Sequence, residues 1–376
     1  MNNKPMPTGK YAVGTKTFTI YNTRKETLDT KGDSMRHIPA RLYYPTSKDA
    51  TGGLKKGKAL SRSEAIGVRK AFMMPVNYDK MEAAGENDSE CFVDAPFIAD
   101  KKFPLIVFNP GYFSYIEGNS FLLIELASQG YAVLSVGHPY ECLGTDYDDG
   151  TYTIVDKSLS HKMYHPYWGG ILAAYKLTKF KGTMEEQAEF FEKFQNKYCT
   201  FIGARVDEWV IDTNFAVDHA KKEFANILDL TNGIGIAGHS HGGAVAYKFC
   251  LTDPEYTCGI NIDGGLFGDT NGMTMNKPFM QLSCEDNENV VTKGYLNHTQ
   301  PAYKVLFHGM KHLGFADIKY DMKPGMTTGK LDADSAHKYT CKSFLEFFDC
   351  YLKKAKNKPE LASNDVITVT EFAPDK

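Results

Sequence analysis

The sequence has no C-x-x-C pair, no apolar run long enough to cross a membrane, no excess of positive charge and no internal repeat. Its eight cysteines (Cys91, Cys142, Cys199, Cys250, Cys258, Cys284, Cys341 and Cys350) are scattered over 376 residues. In a chain of this size that spacing favours buried, reduced thiols over a disulfide frame or a zinc ribbon. Lys plus Arg total 43 against 46 Asp plus Glu, a formal charge of −3. Such a balance argues against nucleic acid as a partner, because phosphate contacts need clustered cations. Met1 to Lys10 is polar and carries no apolar signal core, so a soluble cytoplasmic protein without a transmembrane segment is expected; export with the signal already removed is the alternative. Contact with a lipid surface and the oligomeric state are left open. Tryptophan is scarce, at 2, while Tyr and Phe number 22 and 24. They are assigned first to the core and second to an aromatic-lined cleft.

What is present alternates between strand and helix patterns. Residues 11–21 and 37–45 read as strands by their alternating, β-branched content, and 46–62 and 79–91 as polar connections. Phe103 to Phe108 is a short apolar run of the buried-strand type. Residues 119–129 have helical periodicity ending at Gly130, and Tyr131 to Val136 is again a buried strand. Residues 140–204 break the rhythm and read as a cap-like insertion, with an amphipathic stretch at 184–198. Arg205 to Lys222 is predicted as a long helix. Strands follow at 234–237, 258–262, 279–283 and 303–307, the last of them closing the sheet, and a final helix runs from Ala333 to Lys354. Repeated β-α units imply an α/β class with a mostly parallel sheet covered on both faces, built as one domain over 1–376.

The feature with chemical content is Gly238-His239-Ser240-His241-Gly242-Gly243, which ends a strand and opens a helix. Glycines two before and two after a serine permit a sharp strand-to-helix turn that lifts the hydroxyl clear of the backbone, a nucleophile elbow. A serine hydroxyl needs a base, and the base an orienting acid. In this architecture both come later in the chain, acid first. Of the four histidines beyond the elbow helix (His298, His308, His312 and His337), His312 stands in a glycine-flanked loop after a strand and is the favoured base. Asp263, at a strand end before two glycines, is favoured as the acid over Asp286, which lies in the charged stretch Glu285 to Glu288. An oxyanion hole needs two amide donors. The residue after the nucleophile, His241, supplies one. The loop Asn109-Pro110-Gly111-Tyr112-Phe113 supplies the other, and since Pro110 has no N–H, Tyr112 is chosen, with Phe113 next. The His241 side chain is left between lining the cleft and ordinary packing.

These stretches resemble the plasma-type platelet-activating factor acetylhydrolase family of α/β-hydrolases and its bacterial lipase-like relatives. The likeness is carried by Val107-Phe108-Asn109-Pro110-Gly111-Tyr112, Glu125-Leu126-Ala127-Ser128-Gln129-Gly130-Tyr131, the elbow, Gly259-Ile260-Asn261-Ile262-Asp263 and His312-Leu313-Gly314-Phe315-Ala316-Asp317. It implies an α/β-hydrolase fold. It also implies Ser240 as nucleophile, Asp263 as acid, His312 as base, and Tyr112 and His241 as oxyanion donors, with no metal or organic cofactor. The implied substrate is a small-molecule ester: a short or oxidised acyl chain on a phospholipid-like alcohol, or a small soluble ester. The chain departs from the family pattern at His241, where Phe or Met is usual, and at Pro110-Gly111, where His-Gly is usual. Both positions border the acyl and leaving-group pockets.

Rival patterns are weaker. Gly233-Ile234-Gly235-Ile236-Ala237-Gly238 matches G-x-G-x-x-G, but its interior is itself strand-like where a helix should open. Ser335-Ala336-His337-Lys338 matches S-x-x-K without a Lys-Thr-Gly partner. His161 and His165 have i, i+4 spacing but lack the zinc-protease Glu. An acyltransferase or amidase using the same three residues, or a non-catalytic binding protein on a hydrolase scaffold, completes the alternatives.

Overall fold

In the computed structural model, described for residues 4–22, 24–28, 34–73, 77–85, 89–159, 162 and 167–374, the strands are β1 (Ala12–Ile20), β2 (Ile38–Thr46), β3 (Phe92–Val93), β4 (Phe103–Asn109), β5 (Ala132–Val136), β6 (Gly144–Asp146), β7 (Tyr152–Ile154), β8 (Leu228–Asp229), β9 (Ile234–His239), β10 (Tyr256–Ile262), β11 (Phe279–Cys284), β12 (Ala302–Phe307) and β13 (Ile367–Phe372). The chain divides into two compact units: residues 5–159 with 211–231, and residues 1–4 with 160–210 and 232–376.

In the first unit β4 and β5 run parallel, with Val107 beside Leu134. β2 joins β5 antiparallel, and β1 joins β2 antiparallel along nine residue pairs. Every residue of β5 is buried, as expected of a strand covered on both faces. The helix Ser120–Ser128 is buried along its whole length. A short antiparallel hairpin, β6 with β7, occupies part of the segment predicted as an irregular insertion.

This unit encloses a charged centre. The fully buried Arg36 side chain meets Glu26 at 2.8 Å, Glu141 at 2.9 Å and Asp212 at 2.6 Å. Asp212 also takes Arg24 and accepts from His138 Nδ1 at 2.8 Å. His138 Nε2 lies 3.0 Å from Asn109 Oδ1, which also accepts from the Thr213 hydroxyl at 2.9 Å. Arg36 holds the Asp212 carboxyl far below the ordinary carboxylate range against the opposing cost of burial. Buried charges persist only when paired and hydrogen-bonded in this way.

In the second unit β9, β10, β11 and β12 are parallel neighbours in that order, and β13 closes the edge antiparallel to β12. The helix Met184–Tyr198 begins with a capping box between Thr183 and Glu186. It is fastened by Gln195 to the main chain of Gly268, by Glu192 to Asn271 at 2.7 Å and by Gln187 to Thr292 at 3.0 Å. The segment 140–204 is thus shared between the two units.

The structure corrects two expectations. The polar stretch 79–91 is not a plain connection: it contains most of a helix, Tyr78–Gly85. Ahead of it Arg62–Phe72 forms another, opened by a Ser61–Glu64 capping box. Nor is the strand at 302–307 the last, because β13 follows the C-terminal helix Ala333–Tyr351. His161 and His165 lie outside the described residues.

Candidate active site

β9 delivers the elbow. Ser240 sits between β9 and the helix His241–Thr252 at φ 56°, ψ −119°, a conformation that non-glycine residues adopt only where their surroundings hold them, at a cost of about 1–3 kcal/mol. Two hydrogen bonds hold it: Ser240 N–H donates to the Ile262 carbonyl at 2.8 Å, and the Ser240 carbonyl accepts from Gly243 N–H at 2.9 Å. Backbones approach so closely that a Cβ at position 238 would lie 2.1 Å from the Gly242 carbonyl carbon, and one at 264 would lie 1.9 Å from the Ser240 carbonyl oxygen. The second contact couples the elbow to the turn after β10. Ser240 occupies the N-cap position of the helix without a side-chain capping hydrogen bond, and the first turn holds no acidic residue; a helix N-terminus favours negative charge through its unpaired amides and dipole.

Asp263 follows β10 and is buried, 1% exposed, with φ 52°. Its carboxylate is crowded with donors. Oδ1 accepts from the Cys284 amide at 2.7 Å, and Oδ2 accepts from the Asn287 side chain at 2.7 Å and faces the Cys284 thiol at 3.3 Å. His312 opens a short 3₁₀ turn, His312–Phe315, and its Nδ1 lies 2.7 Å from Asp263 Oδ2. With Nδ1 engaged, Nε2 is the nitrogen left to work. The ring is 36% exposed while the carboxylate is wholly covered, so the carboxylate end of the pair is sealed and the imidazole end open. Burial and the Asp263 charge push the Cys284 thiol upward, keeping it protonated as a donor.

The structure distributes the other candidates elsewhere. Asp286 pairs with Lys311 at the surface. His308 binds Thr368 at 2.8 Å and faces Glu285 at 3.3 Å. His298 faces the Gln300 carbonyl at 2.8 Å, and His337 lies 3.5 Å from Cys341. Only His312 meets Asp263 among the described histidines. The His241 side chain is buried edge-on against Trp209, ring centroids 4.6 Å apart, so it packs. The Phe113 amide donates to the Glu141 carbonyl at 3.0 Å. That hydrogen bond removes Phe113 as an amide donor and leaves Tyr112 as the candidate in its loop. All eight cysteines are buried and none is in a disulfide.

Two neighbours of the site escape sequence reasoning. Asn287 lies in a stretch read as a solvated loop. Glu285 and Asp286 are indeed exposed, but the Asn287 amide turns inward to Asp263, with His312 Nδ1 3.4 Å away. His239 is buried beneath the His312 ring, centroids 4.9 Å apart. Its place in the elbow was visible; its ring contact was not. No helix among the described residues is long and apolar enough to cross a membrane, and no cluster of three or more His, Cys, Asp or Glu able to hold a metal occurs among them.

A family model described as platelet-activating factor acetylhydrolase, isoform II, matches residues 2–364. Among curated proteins, the platelet-activating factor acetylhydrolase of Canis lupus familiaris is 23% identical over 351 residues, covering 87% of this chain and 70% of that protein. That of Cavia porcellus is 22% identical over 275 residues, covering 70% of this chain and 61% of that protein. A probable 1-alkyl-2-acetylglycerophosphocholine esterase of Arthroderma benhamiae is 22% identical, with 56% of this chain and 43% of that protein covered. The chain therefore spans under two thirds of the guinea-pig and fungal proteins it matches. A solved ferulic acid esterase from Streptomyces cinnamoneus superposes with a TM-score of 0.73, 22% identity and 98% coverage of both chains. That likeness shows the α/β-hydrolase fold.

Proposed function

Since this chain belongs to the platelet-activating factor acetylhydrolase isoform II family, we propose that it is a serine hydrolase of carboxylic esters. The observation that carries the reading is the His312–Asp263 pair, 2.7 Å apart, in the same unit as a serine on a strained elbow. In the proposed reaction His312 Nε2 takes the Ser240 proton as the serine oxygen attacks the ester carbonyl. Asp263 holds the Nδ1–H tautomer and stabilises the imidazolium. The His241 amide receives the developing oxyanion. The imidazolium then protonates the leaving alcohol. Water attacks the acyl-enzyme with His312 again as base, which returns the serine to its starting state. Each step uses only this chain's groups and water.

The proposed substrates are esters with short or oxidised acyl chains, on a phospholipid-like or other small alcohol, and the segment 140–204 is proposed to set the acyl preference. A fluorophosphonate probe should label the protein at Ser240, and p-nitrophenyl esters of increasing acyl length should be turned over with a preference for short chains. A wild-type protein that neither labels nor turns over any ester of the series would refute the assignment.

A further inference from the structure

A hydrogen bond through Nδ1 ties the His312 ring to Asp263 at one point. It does not by itself fix the plane of the imidazole, and with it the direction in which Nε2 faces. The plane is set by what lies against the ring's face, and that neighbour is another imidazole. The centroids of His239 and His312 are 4.9 Å apart and their planes are inclined by 35°, within the range of favourable aromatic pairs. His239 is 3% exposed, and Phe315 closes on it at 6.3 Å.

We propose that His239 is a positioning residue for His312, its ring a platform that fixes the plane of the His312 imidazole and stabilises the His312 cation face-on. The inference rests on the reading of His312 as the base. An aromatic face attracts a cation held over it, more strongly when water is excluded. The platform works only while His239 stays neutral, since two adjacent imidazolium rings would repel. Burial does most to keep it so, with the positive charge of His312 and of Lys319 acting in the same sense, and together they hold the His239 pKa well below the ordinary histidine value. No side chain pairs with a His239 ring nitrogen among the described residues; its polar contact is with the His312 main chain, whose pull on the His239 pKa is opposite to that of burial and does not overcome it. Asp263 engages the far edge of His312, while Lys319 lies on the His239 side. Glu285 faces His308 and Asp286 pairs with Lys311.

The test is an NMR titration of histidine-labelled wild type, His239→Phe and His239→Leu, following the His312 ring; it needs no turnover. The proposal expects His239→Phe, which keeps an aromatic face, to leave the His312 pKa where it is. It expects His239→Leu to lower that pKa by about half a pH unit. In ester assays His239→Phe should keep kcat within about threefold, and His239→Leu should lose roughly tenfold in kcat with KM little changed. An unchanged His312 titration in folded His239→Leu overturns the platform. So does a folded His239→Phe whose His312 titration moves as in the leucine variant, which covers the case of a leucine variant that does not fold. If the two variants titrate as expected but wild type cleaves no ester, the hydrolase reading fails and the platform stands.

Discussion

At the scale of single residues, the site is a set of close approaches that leave little room for substitution. Ser240→Ala should abolish probe labelling and lower ester turnover on the order of 10⁶-fold, because nucleophile and base act as a unit. Retention of most esterase activity would move the nucleophile elsewhere. Asp263→Asn should preserve the fold, since the Cys284 amide still has an oxygen to meet. It should nonetheless cut kcat by roughly 10⁴-fold by favouring the wrong His312 tautomer, a loss read in steady-state kinetics beside an unchanged thermal melt. Much of this was legible in advance. Gly238 before Ser240 and Gly264 after Asp263 are dictated by backbone contacts of about 2 Å, and glycine is a residue type that sequence displays openly. Asn287 was not legible, since nothing in a charged stretch tells which one of its side chains folds back.

At the scale of elements, the apolar strands announced themselves. β4, β5, β9, β10 and β11 are almost wholly buried, and a strand covered on both faces must be apolar throughout. The helices Arg62–Phe72 and Tyr78–Gly85 did not, being short and polar, although the Ser61–Glu64 capping box was there to be read. β13 carries the β-branched alternation Ile367-Thr368-Val369-Thr370, but a short strand behind a long C-terminal helix has no local mark that ties it to the sheet edge. The Arg36 centre was beyond reach: its partners lie 10, 105 and 176 residues away, and nothing local marks them. Arg36→Met would leave Glu26, Glu141 and Asp212 buried without their shared cation. The expected loss is about 3–5 kcal/mol of unfolding free energy, measured in urea. A variant as stable as wild type would mean that water reaches the centre.

At the scale of the whole molecule, pH should act through buried histidines. His138 is held below the ordinary histidine value by burial, against the opposing pull of Asp212, and His239 more strongly so by burial and His312. Between the folded and unfolded pKa the unfolded chain binds a proton that the native one refuses, so stability rises with pH in that window. The contribution is complete above about pH 6.5, the unfolded value, and is lost as pH falls toward the depressed folded values. Urea midpoints should therefore drop from pH 7.5 to pH 5.5, and His239→Phe should narrow that drop. An equal drop in the variant would place the sensitivity at other groups.

The sequence by itself determined the α/β class, the position of the elbow and the candidates for its partners, because periodicity, glycine placement and chain order are local or ordinal properties. Only tertiary structure decided that His312 and not His308 reaches Asp263, that Asn287 turns inward, that His239 lies under the His312 ring, and that one arginine gathers three distant carboxylates. Those outcomes depend on which side chains the folded backbone brings within about 3–5 Å, the range over which hydrogen bonds and ring contacts act, and separation along the chain carries almost no information about that distance.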